Sequence, residues 1–537
     1  MPSTARDRKV SPDRTRRDTE SARRARSAWI ALSLGTVLGL QLWMCWGKLG
    51  LPFLDTRLHY NYDNADFLFR ARSGNRNGDL RSQFGVTVNA YSRWGDRVGA
   101  PTYDTDHPFL VKAIFQQYTR IAGLDERASR SFYLGVSFLA AAGLYVLVLV
   151  TTDSLLAALA AAAIFVTLPV CAVYQTCVKF EMDGMLVSVW LFVALALSLE
   201  TRRRGPLIAC GILTVLAFLT HWTAILFVGA VVAWLAGVCR RRPETGPRRA
   251  LAVMVSSSLL GAGGLLALMS YLQGGWRSLF RILTGAFTIR SQPIPLADWW
   301  SRQWLYARIN FTDEFAWLLL GSAVVLGAAH WSERKAVQAA PKTRIGASGL
   351  DAFAAATAAV GVLWVAGFRQ GSYIHVYWQY WLAFPIAVLT AKAIRVIAKG
   401  PLRPAGAASL TVILVVLLAM VSRRTYAGVL SDQLGIRDDI AFLSSLREDR
   451  FARFVFVPVT EAKENAWFQG QLFEYYTDRP VAVLDSGRRL GEGDKVLVLR
   501  FVQREEVVAG IERWSGTRLA NEKCGRRFCA YDVIAAP

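Results

Sequence analysis

Charge is scarce in this chain, and cysteine and histidine are scarcer. Charged residues make up 19% of its 537 residues, below the roughly 25% of an average soluble protein. Seven cysteines are too few for a disulfide framework. The five histidines are scattered, and no cysteine–histidine spacing suits zinc. Cys45, Cys171, Cys177, Cys210 and Cys239 lie in or beside apolar runs and read as small apolar fillers. Cys524 and Cys529 are spaced to close one hairpin disulfide if the tail lies outside the cytosol. No small-residue cleavage site follows the first apolar run, so that run reads as a retained span. No internal repeat is detectable.

What the chain has is apolar length. It is 53% hydrophobic, carries 18 Trp and has a mean hydropathy of +0.29. Apolar runs of about 18 residues or more, enough to cross a bilayer as helix, recur along the chain, and spans are expected at about Trp29–Trp46, Ser131–Val150, Ser154–Val173, Asp183–Leu199, Pro206–Leu219, Trp222–Val238, Ala250–Tyr271, Glu314–Trp331, Leu350–Gly367, Val376–Ile394 and Ala405–Ser422. The expected fold is an α-helical polytopic membrane protein of about 11 spans with a small C-terminal α/β soluble domain. Residues 1–27, with nine Arg or Lys, read as a disordered basic cytosolic tail. Residues 28–422 form the membrane domain, with large outer loops at 48–129 and 272–313, and 423–537 an extracytoplasmic α/β domain. Within the first loop, Ala65–Arg72 and Phe109–Ala122 are spaced as helices that can lie on the membrane surface. In the tail, Phe454–Val459, Val481–Leu484, Val496–Phe501 and Ala530–Ile534 read as strands. Ile436–Leu446, Glu464–Tyr476 and Glu505–Trp514 read as helices.

The net charge of +22 invites a nucleic-acid reading, but its placement argues otherwise. The loops 201–205, 239–249, 332–344 and 392–404 are short and basic, and an alternating path puts all four on the side of the N-terminus. That is the positive-inside pattern, so the charge records topology in an inner or plasma membrane rather than a polyanion partner. An odd number of spans leaves the tail outside.

Polar chemistry then concentrates on the outer side. The stretch Leu51–Arg72, directly after the first span, carries Asp55, His59, Asp63, Asn64 and Asp66 among aromatics. Asp63 and Asp66 are three apart and share a helical face; the competing reading is a solvated loop or helix caps. At Asp104–Leu110, Pro108 can open a helix, whose N-terminus attracts phosphate with His107 as an added donor; a simple capped surface helix competes. Lys179, Glu181 and Asp183 stand at the mouth of the fourth span, where ionisable groups are usually functional or snorkelling. Glu181 and Asp183 form a D-x-D-like pair able to hold a divalent cation through oxygens, but two carboxylates fall short of a metal site and no cofactor is assigned. Arg369, His375 and Tyr377 enter the tenth span and suit a phosphate and a sugar; an aromatic belt with one Arg competes. Arg277, Arg281 and Arg290, in the Trp-rich second loop, are further phosphate candidates.

Taken together these segments resemble the glycosyltransferase C superfamily, in its branch of protein O-mannosyltransferases and lipid A aminoarabinose transferases. Tyr62-Asp63-Asn64-Ala65-Asp66-Phe67, with Arg72 beyond, follows the family's acid pair, aromatic and Arg after the first span, with Asn64 in place of the usual Glu. His107-Pro108-Phe109-Leu110 resembles a Lys-Pro-Pro-Leu element, and Gly123 through Arg130 a Gly-then-Arg pattern. Asp183 stands where the family has an acid opening the fourth span, and His375-Val376-Tyr377-Trp378 through Pro385 resembles a late His-Tyr-Tyr…Pro span. The likeness covers roughly residues 28 to 395. It implies a polyprenyl-phosphate-linked sugar donor, inversion at the anomeric carbon, an acceptor outside the cytosol (protein, lipid or polysaccharide), and in many members no metal. On that reading Asp63 is the general base with Asp66 and Asp55 as rivals, His107 with Lys179 or Arg369 meets the phosphate, and Asp183 positions acceptor or base.

Two other classes compete. A transporter or flippase of lipid-linked sugars places polar groups at mid-membrane and shows repeated halves; here the span interiors are nearly free of charge. The other is a non-catalytic envelope assembly protein whose tail binds partners.

Overall fold

The computed structural model describes residues 12–49, 62–77, 87–88, 102–103, 107–241, 244–336, 345–400, 404–430, 436–446, 454–457, 476–477, 481–483, 490, 492, 494–499, 504–524 and 528–535. Helices dominate: α1 (Pro12–Met44), α2 (Tyr62–Asn77), α3 (Leu110–Ala122), α4 (Glu126–Thr152), α5 (Leu155–Thr167), α6 (Pro169–Tyr174), α7 (Phe180–Thr201), α8 (Arg204–Thr220), α9 (Trp222–Arg241), α10 (Thr245–Leu272), α11 (Trp276–Arg290), α12 (Leu296–Ala336), α13 (Ile345–Gly367), α14 (Arg369–Ile374), a 3₁₀ segment (Val376–Leu382), α15 (Ala383–Lys399), α16 (Pro404–Leu430), α17 (Ile436–Ser445) and α18 (Arg504–Ser515). Among the described residues nine helices are long and apolar enough to cross a membrane, and the shorter apolar α5 and α8 occupy two further expected positions.

The bundle is built around α5. Its sequence, LLAALAAAAIFVT, is mostly alanine, and small side chains let neighbouring backbones approach closely. Accordingly α1, α4, α15 and α16 all pack on it. The single expected span Ser154–Val173 is in fact two helices. The chain bends at Leu168 (φ −55°, ψ 135°) and restarts with Pro169 in the first turn of α6, where a missing N–H costs nothing. Asp125 caps α4 by accepting from the Ala128 N–H at 2.7 Å, and Ser154 caps α5 by accepting from Ala157 at 3.2 Å.

The two ends of the bundle differ in kind. At one end the basic loops meet acids across helices: Arg26 pairs with Asp153, Arg202 with Glu244 at 3.8 Å, and Lys392 with Asp351. At the other end α2, α3, α6, α11, α14 and the 3₁₀ segment pack among the span termini. Here α2 departs from expectation. It does not lie on a surface: Asn64, Ala65, Phe67, Leu68, Phe69 and Ala71 are all buried, as are Asp66, Arg70 and Arg72. The second outer loop also differs, since Glu314–Trp331 is only the end of α12, a helix that begins at Leu296 and kinks at Thr312 (φ 48°, ψ 169°).

The tail carries a five-stranded sheet in the order β4-β3-β5-β7-β6, from β3 (Phe454–Val457), β4 (Val481–Val483), β5 (Lys495–Leu499), β6 (Thr517–Cys524) and β7 (Phe528–Ala535); a separate two-stranded pair joins β1 (Thr87–Val88) to β2 (Thr102–Tyr103). β3 runs parallel to β4 and β5, while β7 is antiparallel to β5 and β6. Side chains alternate along a strand. Thus Phe454, Leu497 and Ala530 join the core of the bundle, and Val455, Val496, Val498 and Tyr531 pack with Ile511 of α18. Tyr476 donates its hydroxyl to Glu126 of α4 at 3.1 Å. Cys524 and Cys529 are joined as expected. β6 was not anticipated, and of the expected helix Glu464–Tyr476 only Tyr476 is among the described residues.

Lys48 fixes the first span to α6. It is buried, and its Nζ donates to the carbonyls of Ala172 and, at 3.3 Å, of Val173. Burial holds its ammonium down to about 8 against an ordinary 10.5. Between those values the unfolded chain keeps a proton that the fold has released, so this residue makes stability rise with pH across that window. The difference corresponds to about 3 kcal/mol. Melting wild type beside Lys48→Met from pH 7.5 to about 10.5 is expected to show wild type gaining on the variant. Parallel curves contradict the assignment.

Candidate functional site

Asn64 joins the first exported segment to the entrance of α7. Its Nδ2 donates to the Thr176 carbonyl at 3.2 Å and its Oδ1 accepts from the Val178 N–H. An amide both donates and accepts, whereas a carboxylate here would only accept. Asn64 therefore has a structural reason of its own. Asp63 precedes it in the first turn of α2; its side chain and all of Asp55 lie outside what the structure describes. Asp66 is described, and it is engaged: Arg70 Nε donates to Oδ1 at 2.8 Å and Nη2 meets Oδ2 at 2.7 Å, both side chains buried. One turn on α2, Phe67 wedges edge-on between Phe115 and Phe180, at 5.7 and 5.5 Å.

Phe180 begins a circuit of rings. His107 stacks on it at 4.0 Å, and His221 lies nearly parallel at 5.9 Å from Phe180 and 5.4 Å from His107. His221 meets Trp364 at 5.6 Å, Trp364 meets Trp378 at 4.9 Å, and Trp378 stacks on His375 at 5.3 Å. His375 Nδ1 is 3.3 Å from the Tyr377 hydroxyl, and Lys179 sits 3.9 Å over the Tyr377 ring, closing the circuit beside Phe180. Contact at Gly371 is so close that a Cβ there would fall within the Trp378 ring. Gly371→Ala is expected to cost about 1–3 kcal/mol through overpacking, read as a lower melting temperature. An unchanged melting temperature would show that Trp378 is not fixed in this place.

Ionisable side chains of both signs are buried at this end. Among the described residues, Lys48, Arg70, Arg72, Lys112, Arg130 and Lys179 are buried, against Asp66, Glu181 and Asp183. Glu181 and Asp183 occupy the first turn of α7, where the helix dipole favours acids. They are two residues apart in that turn. Asp183 Oδ2 is buried with no hydrogen-bond partner among the described residues. Three ligand atoms come together at Glu522, Cys524 and Cys529, but those sulfurs are bonded to each other.

The structure thus brings Asp66, His107, Lys179, Glu181, Asp183, His375 and Tyr377 to one end of the bundle. Arg369 is exposed at the start of α14. His107 arrives differently from expectation: α3 starts at Leu110 after Phe109, so Pro108 stands before the helix, and no side chain caps it. Of the three loop arginines, Arg277 and Arg281 are exposed, while the charge of Arg290 bears on His221. Sequence reasoning passed over His221, Lys48 and Lys112. His221 is the single residue between two apolar helices, and Lys48 the first cation after the first span; both positions were readable signals.

Residues 106–259 match the family model described as dolichyl-phosphate-mannose-protein mannosyltransferase. No curated protein sequence matches the chain. Among solved structures it is similar to ArnT from Cupriavidus metallidurans bound to undecaprenyl phosphate, at 12% identity and TM-score 0.57, covering 95% of this chain and 99% of that one. It is similar to the archaeal oligosaccharyltransferase AglB from Archaeoglobus fulgidus, in complex with an inhibitory peptide and a dolichol-phosphate, at 11% identity and TM-score 0.55, covering 91% and 71%. It is also similar to the arabinofuranosyltransferase AftD from Mycobacteria, at 13% identity and TM-score 0.54, covering 95% of this chain and 40% of that one. The chain is a membrane protein with the glycosyltransferase C fold, similar over residues 106–259 to the dolichyl-phosphate-mannose-protein mannosyltransferases.

Proposed function

We propose that the chain is a membrane glycosyltransferase that moves a sugar from a polyprenyl-phosphate carrier to an acceptor on the far side of the membrane from its basic loops. The observation that carries this reading is the gathering of His107, Lys179, His375 and Tyr377 among aromatic rings, with Glu181 and Asp183, at one end of the bundle. Charged and N–H donors set among rings suit an anion beside a sugar, and the anion of a lipid-linked sugar is its phosphate. The similar structures of ArnT and AglB hold undecaprenyl phosphate and dolichol-phosphate, which supports the same class of carrier here.

In the proposed reaction Asp63 takes the proton of an acceptor hydroxyl while its oxygen attacks the anomeric carbon. The bond from that carbon to the phosphate oxygen breaks, and the polyprenyl phosphate leaves with the electron pair. Attack opposite the leaving group inverts the anomeric centre. His107 and Lys179 steady the charge that grows on the departing phosphate, Arg369 meets the carrier at the rim, and Tyr377 and His375 hold the sugar. Glu181 and Asp183 position acceptor or base. The positive-inside rule places the N-terminus and basic loops in the cytosol and the tail outside.

Membranes carrying the protein, supplied with radiolabelled polyprenyl-phosphate sugars, are expected to label a protein, lipid or polysaccharide acceptor. Membranes lacking it are expected to leave that acceptor unlabelled. Equal labelling in both would remove the proposal.

A further inference from the structure

His221 is completely buried in the joint between α8 and α9. Its Nδ1 has two contacts, the Thr223 hydroxyl at 2.6 Å and the Thr223 backbone N–H at 3.4 Å. A backbone N–H only donates, so Nδ1 accepts and the ring proton resides on Nε2. Nε2 has no hydrogen-bond partner among the described residues. A buried N–H donor with nothing to donate to is rare in folded proteins and calls for an explanation, a bound acceptor being one.

Its surroundings name the acceptor. His107 and Phe180 stack alongside the ring, Lys112 lies 5.7 Å from the Phe180 centroid, and the positive charge of Arg290 reaches the imidazole. A neutral N–H donor that feels the Arg290 charge and stacks beside His107 suits an anionic acceptor. We infer that His221 is a substrate-binding residue of this site whose Nε2–H donates to a phosphate oxygen of the lipid-linked donor. This rests on the transferase reading and adds a named contact to it. Burial, and then the Arg290 charge, hold the imidazole down to about 3. The ring is therefore neutral in the pH range of life and, with its proton on Nε2, acts as a donor rather than as the base. Gly184 matters to the same joint, because a Cβ there would press on Thr223 Oγ1 and approach the His221 Cβ.

The test uses purified full-length protein and three variants, with polyprenyl phosphate and inorganic phosphate as probes. His221→Phe keeps a ring in the stack and removes the donor; it is expected to weaken polyprenyl phosphate binding on the order of tenfold to a hundredfold. In transfer assays the same variant is expected to raise KM more than it lowers kcat. His221→Gln keeps an N–H and is expected to stay within a few-fold of wild type. Thr223→Val removes one of the two contacts that fix the tautomer and is expected to weaken binding by a few-fold, a readout that holds if both His221 variants misfold. Parallel weakening toward inorganic phosphate assigns His221 to phosphate of either source, and weakening toward polyprenyl phosphate alone assigns it to the lipid carrier; both support the inference. Wild-type affinity in His221→Phe, as expected if a buried water alone satisfies Nε2, overturns it. Equal loss in folded Phe and Gln variants overturns it too, since ring shape would then be what counts. If wild type binds neither probe and transfers nothing, the transferase reading fails instead.

Discussion

Asp63→Asn is expected to leave the protein folded and to lower sugar transfer by roughly a hundredfold to ten-thousandfold, the usual contribution of a positioned general base. The argument is comparative. Of the acids in the first exported segment, Asp66 already has both carboxylate oxygens on Arg70. A carboxylate held by a buried guanidinium is a poor proton acceptor, because the cation stabilises its charged form. Asp63 stands one residue before Asn64, whose two hydrogen bonds fix the start of α2 against the entrance of α7. That anchoring fixes the backbone next to Asp63 against the entrance of α7. Transfer rates and melting temperatures measured together decide the matter. Unchanged transfer in Asp63→Asn would move the base to Asp183 or Asp55.

Asp66→Ala is expected to behave in the opposite way, losing stability first. Removing one partner of a buried ion pair leaves the other uncompensated, at a cost of about 3–5 kcal/mol. Arg70 is 6% exposed and has no easy route to solvent. The melting temperature in detergent is therefore expected to drop sharply. A paired change, Asp66→Leu with Arg70→Met, is expected to recover most of it, since replacing both charges with apolar groups is often neutral or better. If Asp66→Ala kept its melting temperature and lost transfer, Asp66 would be the chemical residue and the roles of the two acids would be exchanged.

The membrane architecture was legible because it rests on length and apolarity, which a sequence displays directly. Expected spans such as Ser131–Val150 and Leu350–Gly367 fall within α4 and α13. The break at Leu168-Pro169 was signalled by Pro169 but masked by a run that stays apolar across it. The burial of α2 was hidden for a different reason. Its charges look solvated in sequence, and only the fold shows that Asp66 and Arg70 satisfy each other. β6, Thr517–Cys524, has a single buried residue, Leu519, so no alternation announced it. Lys179, Asp183 and His375 were singled out because each stands at the edge of an apolar run, and His107 because Pro108 beside it can open a helix. His221 also stands at such an edge, but as one residue between two helices it looked like a mere joint.

The most direct test of the account is an experimental structure of the protein with a sugar-loaded polyprenyl phosphate. The account predicts the phosphate at the aromatic end of the bundle, within hydrogen-bond reach of His107, Lys179 or His221, with Asp63 facing the anomeric carbon. A phosphate found instead at the end where Arg202 meets Glu244, or a protein that takes up no such lipid at saturating concentration, would contradict it.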